Sequence, residues 1–398
     1  MSAAFDPQTF NPYAPDFLAD PYPVFKAFRD QAPVARVQPF GSHWVFRYQD
    51  AKTVLDRKDL FLKAPPGAKP PAPPFGVIAN MPPGIFSMDP PRHDVLRAML
   101  DRLFPTAIAD AAGFASGVAR SLLGGLGGSR LELVSAYALP LPQQVLMKVL
   151  GVPVADIAGV GQWVSAVLAG QDPAAPRAVQ GMAGTCSFAL GAYFQALRRG
   201  CPVQGAAANA MLNLMVTQAE PQGMTPEETQ ATAVNFAVAG YLSTVFLLGT
   251  GTYNLLRHPE QLARWRAQPE LAPSMIDELM RYDTPFQFVD RYAASEVELG
   301  GVRLRAGDKV SAMLGSANRD ERQFAEPDRL DITRDASAQL GFGDGIHYCI
   351  GAPLVRQVAP VAFQALFDTL PKLRLDGLPQ WQTVPVIRSV ASLPLAFG

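Results

Sequence analysis

The stretch Thr229 to Leu256 runs for 28 residues without a charge, and no other segment of the chain resembles it. A run of that length is either a bilayer span or the innermost helix of a large core. Asn235, Gly240, Tyr241, Ser243 and Thr244 interrupt its apolar character, which favours the buried helix. Its start is marked by Thr225-Pro226-Glu227-Glu228, where a capping hydroxyl is followed by proline at the first helical position and glutamate three residues after the cap. The next stop signal is His258-Pro259. The reading is therefore one helix of roughly 30 residues and about 45 Å, long enough to cross the whole molecule.

Such a helix needs apolar partners. The 398-residue sequence supplies them, being 48% hydrophobic and only 17% charged. A formal net charge of -1 gives no general attraction for nucleic acid. The cysteines Cys186, Cys201 and Cys349 are too few and scattered for a disulfide framework, which points to a reducing compartment. Met1 to Asp20 holds Asp6, Asp16 and Asp20 and no basic segment followed by an apolar one, so neither a signal peptide nor a membrane anchor is expected and the cytoplasm is the expected location.

Helical signals dominate from Pro91 to Glu296, broken by glycine and proline. Val34 to Val37 and Trp44 to Tyr48 read as a small hairpin around Pro39 and Gly41, and Val297 to Leu304 as another around Gly300-Gly301. No internal repeat is present. Between Pro65 and Pro91 ten prolines fall in 27 residues, a density that forbids regular helix or central strand. Composition leaves two roles open for this loop, a linker between domains or a lid over a pocket.

The chemistry concentrates in Leu340-Gly341-Phe342-Gly343-Asp344-Gly345-Ile346-His347-Tyr348-Cys349-Ile350-Gly351-Ala352. Glycines let backbone approach a bulky group closely, and their N–H groups can point at an anionic sulfur. A lone cysteine cannot complete a zinc site, and a nucleophilic one would want a base, for which His347 is poorly placed. On the residues alone, haem ligation and an inert buried thiol both stay open.

Phe342-Gly343-x-Gly345-x-His347-x-Cys349-x-Gly351 resembles the haem-binding loop of the cytochrome P450 family. The resemblance implies that Cys349 is the proximal iron ligand of haem b, that Phe342 and Gly351 pack around it, and that His347 meets a haem propionate. It extends over nearly the whole chain. Glu278-Leu279-Met280-Arg281 is similar to the family's ExxR motif, and Phe324 to Leu330 to the segment where Arg329 would complete a buried ion network with Glu278 and Arg281. Further propionate partners implied are His93, Arg97 and Arg291. The implied fold is mainly α with a minor β-sheet region, as one haem-thiolate domain over residues 1–398, with the proline-rich loop as a lid.

On the long helix the matching line is Ala239-Gly240-Tyr241-Leu242-Ser243-Thr244. The resemblance gives Gly240 the task of making room for oxygen, Ser243 that of a proton-delivering hydroxyl, and Thr244 a second hydroxyl. The family's acid is replaced by Leu242, which can neither donate nor accept a proton. Pocket positions carried over are Ile85, Phe86, Phe236, Ala239, Phe286, Gln287, Phe288, Val289 and Ser392. They are mostly apolar or small, so the expected substrate is a small hydrophobic or aromatic molecule. The expected activity is monooxygenation with O2 and electrons from a separate ferredoxin and NAD(P)H-dependent reductase. Oxidative coupling without oxygen insertion is the alternative that Leu242 raises, and a catalytically silent haem-binding protein is a third.

Overall fold

The computed structural model describes residues 7, 10–38, 40–68, 84–170 and 175–398. Residues 69–83, most of the proline-rich stretch, and Pro39 of the first hairpin lie outside the described residues. The helices that frame the site are α1 (Arg92–Ala107), α2 (Pro140–Leu150), α3 (Pro226–Ala239), α4 (Leu242–Arg257), α5 (Ala272–Tyr282) and α6 (Ala352–Thr369). Their apolar faces meet in one core, with Leu96 and Leu100 from α1, Leu146 from α2, Phe236 from α3, Leu255 from α4, Leu279 from α5 and Phe363 from α6.

The uncharged stretch is at the centre of this core, with 78% of its most apolar window buried. Its start is as expected: Glu228 N–H donates to Thr225 Oγ1 at 3.2 Å, and Thr225 N–H donates to Glu228 Oε2 at 2.8 Å. It runs on as one 32-residue helical span, Pro226–Arg257, with a local interruption. The structure divides it into α3 and α4 at Gly240 and Tyr241. Gly240 N–H still bonds Phe236 O at 2.8 Å, but a Cβ on Gly240 would fall 2.5 Å from that carbonyl and 3.0 Å from the Leu146 methyls. Glycine is therefore required where the turn deforms and where α2 packs against it. The packing of Leu146 against it thus gives Gly240 a role in shaping the helix.

The minor sheet forms from β1 (Val34–Val37), β2 (Ser42–Val45), β3 (Phe61–Leu62), β4 (Val289–Ala293) and β7 (Lys309–Ala312), in the order β1-β2-β7-β4-β3. The pair β2 and β7 is parallel and the others are antiparallel. Both expected hairpins are present. β1 pairs with β2, and β5 (Val297–Leu299) pairs with β6 (Val302–Leu304) around Gly300 and Gly301, whose φ values of 54° and 81° suit a tight hairpin turn. β3 pairs Leu62 with Tyr292 of β4, and continuing that register sets Lys63 alongside Arg291.

Candidate active site

Cys349 sits between a turn at Gly345–His347 and the first residue of α6. Its N–H donates to Phe342 O at 2.9 Å, and its carbonyl accepts from Ala352 N–H at 3.2 Å. A Cβ on Gly345, whose φ is +66°, would lie 2.5 Å from Leu55 O, so glycine lets the loop press on the neighbouring helix Tyr48–Asp56. Lys52 of that helix pairs with Asp344. Burial pushes the Cys349 thiol up, while the N–H groups of Gly351 and Ala352 and the cations Arg97 and Arg356 favour its thiolate. Phe342 is buried beside it, with the Arg356 guanidinium 4.8 Å from its ring centre.

Cations gather on one side of this loop. Arg97 of α1 donates from Nη1 to Ile346 O at 3.1 Å and Tyr348 O at 2.7 Å. The buried His93 ring lies one turn earlier, 4.3 Å from the His347 ring. Burial together with Arg291, Lys63, His93 and Arg97 lowers the pKa of His347 and holds the ring neutral. Arg291 is buried and its one hydrogen bond among the described residues goes to its neighbour's carbonyl, Asp290 O, at 2.9 Å. Burial lowers it to about 10, and burial and the Arg291 charge lower Lys63 to about 7. Among the described residues neither cation has a carboxylate within ion-pair distance. Asp89 is occupied by the N–H groups of Lys63 and Ala64, and Asp290 by Lys309 at 2.7 Å and the Ser311 hydroxyl at 2.6 Å.

A buried cation and a half-buried one beside it, neither paired among the described residues, call for an anion. No three of His, Cys, Asp and Glu converge anywhere among the described residues, so Cys349 has no companion side chains with which to complete a metal site. One sulfur ligand, donors aimed at it and orphaned cations to one side fit a macrocycle that brings its own metal and its own carboxylates. A cavity of about 260 Å³ opens beside Cys349, lined by Arg97, Phe104, Tyr348 and Ile350 among others. A larger groove of about 440 Å³, between Tyr13, Leu18 and Trp381, contains none of these groups.

The remaining site positions divide. Ala239, Gly240 and Ser243 keep some exposure in a stretch otherwise buried. Thr244 is buried. Phe236 is buried with its ring 6.1 Å from Phe104, and Phe286 lies 5.9 Å from Phe246. Ile85 is buried, and Phe86, Val289 and Ser392 are half-buried. Phe288 does not join them, because its ring packs 5.3 Å from Trp44 and 5.9 Å from Phe40 in an aromatic cluster on the sheet. Gln287 is also turned away, buried against Gly315 and donating to Thr284 O at 2.6 Å.

The ion network is real but its third member differs from the expectation. Glu278 and Arg281 are fully buried and bonded at 2.7 and 2.9 Å. Arg329 is 56% exposed and pairs with Glu326 and Asp331. Arg334, 14% exposed, is the residue that reaches Glu278, at 3.3 Å.

The sequence pattern of the cytochrome P450 family matches residues 203–370. The cytochrome P450 monooxygenase PikC of Streptomyces venezuelae is 34% identical over 395 residues, covering 96% of this chain and 92% of that protein. The chain belongs to the cytochrome P450 family. A second relative of this P450 is the 6-deoxyerythronolide B hydroxylase of Saccharopolyspora erythraea, 32% identical over 95% of this chain and 96% of the relative. Among solved structures, cytochrome P450 CYP109Q5 from Chondromyces apiculatus superposes with a TM-score of 0.86 at 32% identity, covering 98% of both chains. P450BioI, solved with an acyl carrier protein bearing a hexadecenoic chain, superposes at 0.85 with 27% identity, over 96% of this chain and all of that one.

The mainly helical fold with its small sheet is thus the P450 fold, and this P450 is a haem-iron oxidoreductase of the monooxygenase type. The family implies a small-molecule substrate and a redox partner. Two of its site residues escaped the sequence reading. Arg334 lies five residues beyond the arginine that was expected, and Lys63 enters through strand register, a relation that spacing along the chain does not carry.

Proposed function

We propose that this P450 holds haem b through the Cys349 thiolate and oxidises a small, largely apolar molecule in the cytoplasm. Its electrons come from a separate ferredoxin and its NAD(P)H-dependent reductase. What supports the reading is the juxtaposition of one half-buried sulfur, steadied by backbone N–H groups, with the cations Arg97, Arg291 and Lys63. Haem, when bound through a thiolate, supplies iron that activates dioxygen.

The chain's own residues do the rest. The Gly351 and Ala352 N–H groups hold negative charge on Cys349 Sγ, and Arg97 ties α1 to the loop through the Ile346 and Tyr348 carbonyls just before Cys349. Arg291, Lys63 and the His93–His347 pair would orient the haem carboxylates. Ile85, Phe86, Phe236, Ala239, Phe286, Val289 and Ser392 shape walls that exclude water and favour an apolar substrate. Ser243 would hold a proton at Oγ facing the reacting side, and Leu242, which is 5% exposed, contributes none.

Purified protein, reduced and exposed to carbon monoxide, is expected to show the strongly red-shifted Soret band of a thiolate-ligated haem, and Cys349→Ala to lose it. An unchanged band in Cys349→Ala would overturn the assignment. The Leu242 position favours a second reading, oxidative coupling or another oxidation without net oxygen insertion. The mass of the product, with or without an added oxygen, separates the two.

A further inference from the structure

We infer that Asn235 is the polar anchor of the pocket, binding an uncharged carbonyl or hydroxyl oxygen of an otherwise apolar substrate. The inference rests on the haem-thiolate reading above and names a substrate class for it.

Asn235 lies on α3 one turn before Ala239, so the two share a helix face. It is 9% exposed, and its amide, with two donors and an acceptor, makes no hydrogen bond among the described residues. The buried asparagines Asn213, Asn254 and Asn318 behave otherwise. Asn213 accepts from Val203 N–H at 2.9 Å and donates to Ala208 O at 2.7 Å. Asn254 donates to Asp283 at 3.2 Å, and Asn318 bridges Leu340 N–H and the Thr284 hydroxyl. A nearly buried amide left without a partner is unfavourable, so this position is where a partner from outside the chain gains most.

The neighbouring loop sets the direction. A Cβ on Gly84 would overlap the Asn235 amide, so the amide presses directly on the residue that leads into Ile85 and Phe86. The amide therefore stands where the pocket's loop wall meets its helix wall. Around it on α3 are the buried apolar side chains of Ala231, Val234, Phe236, Ala237 and Val238, with the buried Thr232 hydroxyl one turn before it. A neutral amide in apolar surroundings suits a ketone, lactone, amide or alcohol. A carboxylate would want a cation, and Arg92, the base near this face, is already paired with Glu228.

The test uses haem-loaded protein and two probes of the same ring size, cyclododecanone and cyclododecane, titrated by the spin-state shift of the Soret band. Wild type is expected to bind the ketone roughly tenfold more tightly, the scale of one buried hydrogen bond. Asn235→Leu should erase the preference while imidazole binding to the iron and thermal stability stay as in wild type. Gly84→Ala, which displaces the amide without removing it, should weaken the preference independently. A preference retained in Asn235→Leu, or absent in wild type, overturns the inference while leaving the haem reading intact. Absence of the thiolate Soret band overturns both.

Discussion

Arg334 Nε lies 3.3 Å from Glu278 Oε1, joining residues 56 positions apart in the chain. Glu278 also accepts two bonds from Arg281 and one from Asp331 N–H at 2.9 Å. Arg281 in turn donates to Asn318 O and Pro327 O at 2.8 and 2.9 Å. The network thus fastens α5 to the segment that leads into the cysteine loop, and haem retention should depend on it.

The members should rank by what each leaves unpaired. Glu278→Ala strands the fully buried Arg281 and should cost about 3 to 5 kcal/mol, with Arg281→Ala similar. Arg334→Ala leaves Glu278 still bonded to Arg281 and should cost about 1 to 3 kcal/mol. Arg329→Ala, at an exposed pair, should cost less than about 1 kcal/mol. Denaturant unfolding and haem content of the four variants check the order. An Arg329 variant as damaged as the Arg334 one would contradict the assignment.

The difference between Arg329 and Arg334 shows what could be read along the chain. Glu278 and Arg281 are three apart on one helix, so their pairing follows from helical periodicity. Their third partner comes from an irregular segment, where no period says which arginine turns inward. Phe288 is a similar case, since a segment without regular alternation gave no sign that its ring would join Trp44 rather than the pocket. The capping box at Thr225 and both hairpins are local patterns and were legible. The break at Gly240 was not, because it depends on α2 packing against that turn through Leu146, a tertiary contact. Lys63 reaches Arg291 only through the pairing of β3 with β4.

Lys63 and Arg291 should show opposite effects on two measurements. Arg291 is buried and Lys63 half-buried, and among the described residues neither has a carboxylate partner, so replacing Lys63 by Met should stabilise the haem-free protein at neutral pH. If Lys63 holds a haem carboxylate as proposed, the same change would remove a charge-assisted bond worth about 1.5 to 3 kcal/mol and should speed haem transfer to an apoglobin acceptor by roughly 10- to 100-fold. Thermal unfolding of the haem-free form and the transfer rate are read side by side. Faster unfolding of the haem-free variant together with unaltered haem transfer would mean that Lys63 serves the fold instead.

A pH prediction follows from Asp283, which is buried. Burial raises its carboxyl, but Arg388 at 2.8 Å and the Tyr22 hydroxyl at 2.7 Å outweigh that and hold it below the ordinary range. Because the folded value is depressed, its contribution is complete above the unfolded value, about 3.9, and is lost as pH falls through the lower folded value. Asp283→Asn should cost about 3 to 5 kcal/mol at pH 7 by leaving the buried Arg388 unpaired. The gap between variant and wild type should narrow as pH falls below about 4. Denaturant unfolding at several pH values measures it, and a constant gap across that range would show that Asp283 is not the titrating group.

Proton delivery is the least conventional feature of the site. By the resemblance of Ala239 to Thr244 to the family's helix motif, Leu242 would stand where the relaying acid belongs, and the group before it offers no substitute: burial pushes the Tyr241 hydroxyl up to about 12, so it stays protonated near neutral pH. Ser243, which keeps some exposure, would then be the hydroxyl left to hold and pass a proton on this turn of the helix. A positioned general acid contributes roughly 10²- to 10⁴-fold, so its lack should appear as lost coupling. With generic hydrophobic substrates, product formed per NAD(P)H consumed should be low and hydrogen peroxide high. Ser243→Ala should lower coupling further. Leu242→Glu should raise it provided the variant retains haem, which its thiolate Soret band reports. A substrate with its own hydroxyl or amide near the reacting carbon could take over the acid's part, and coupling would then be tight with that substrate alone. Tight coupling across all substrates, indifferent to Ser243→Ala, would show that protons arrive by a path that does not pass this turn of the helix.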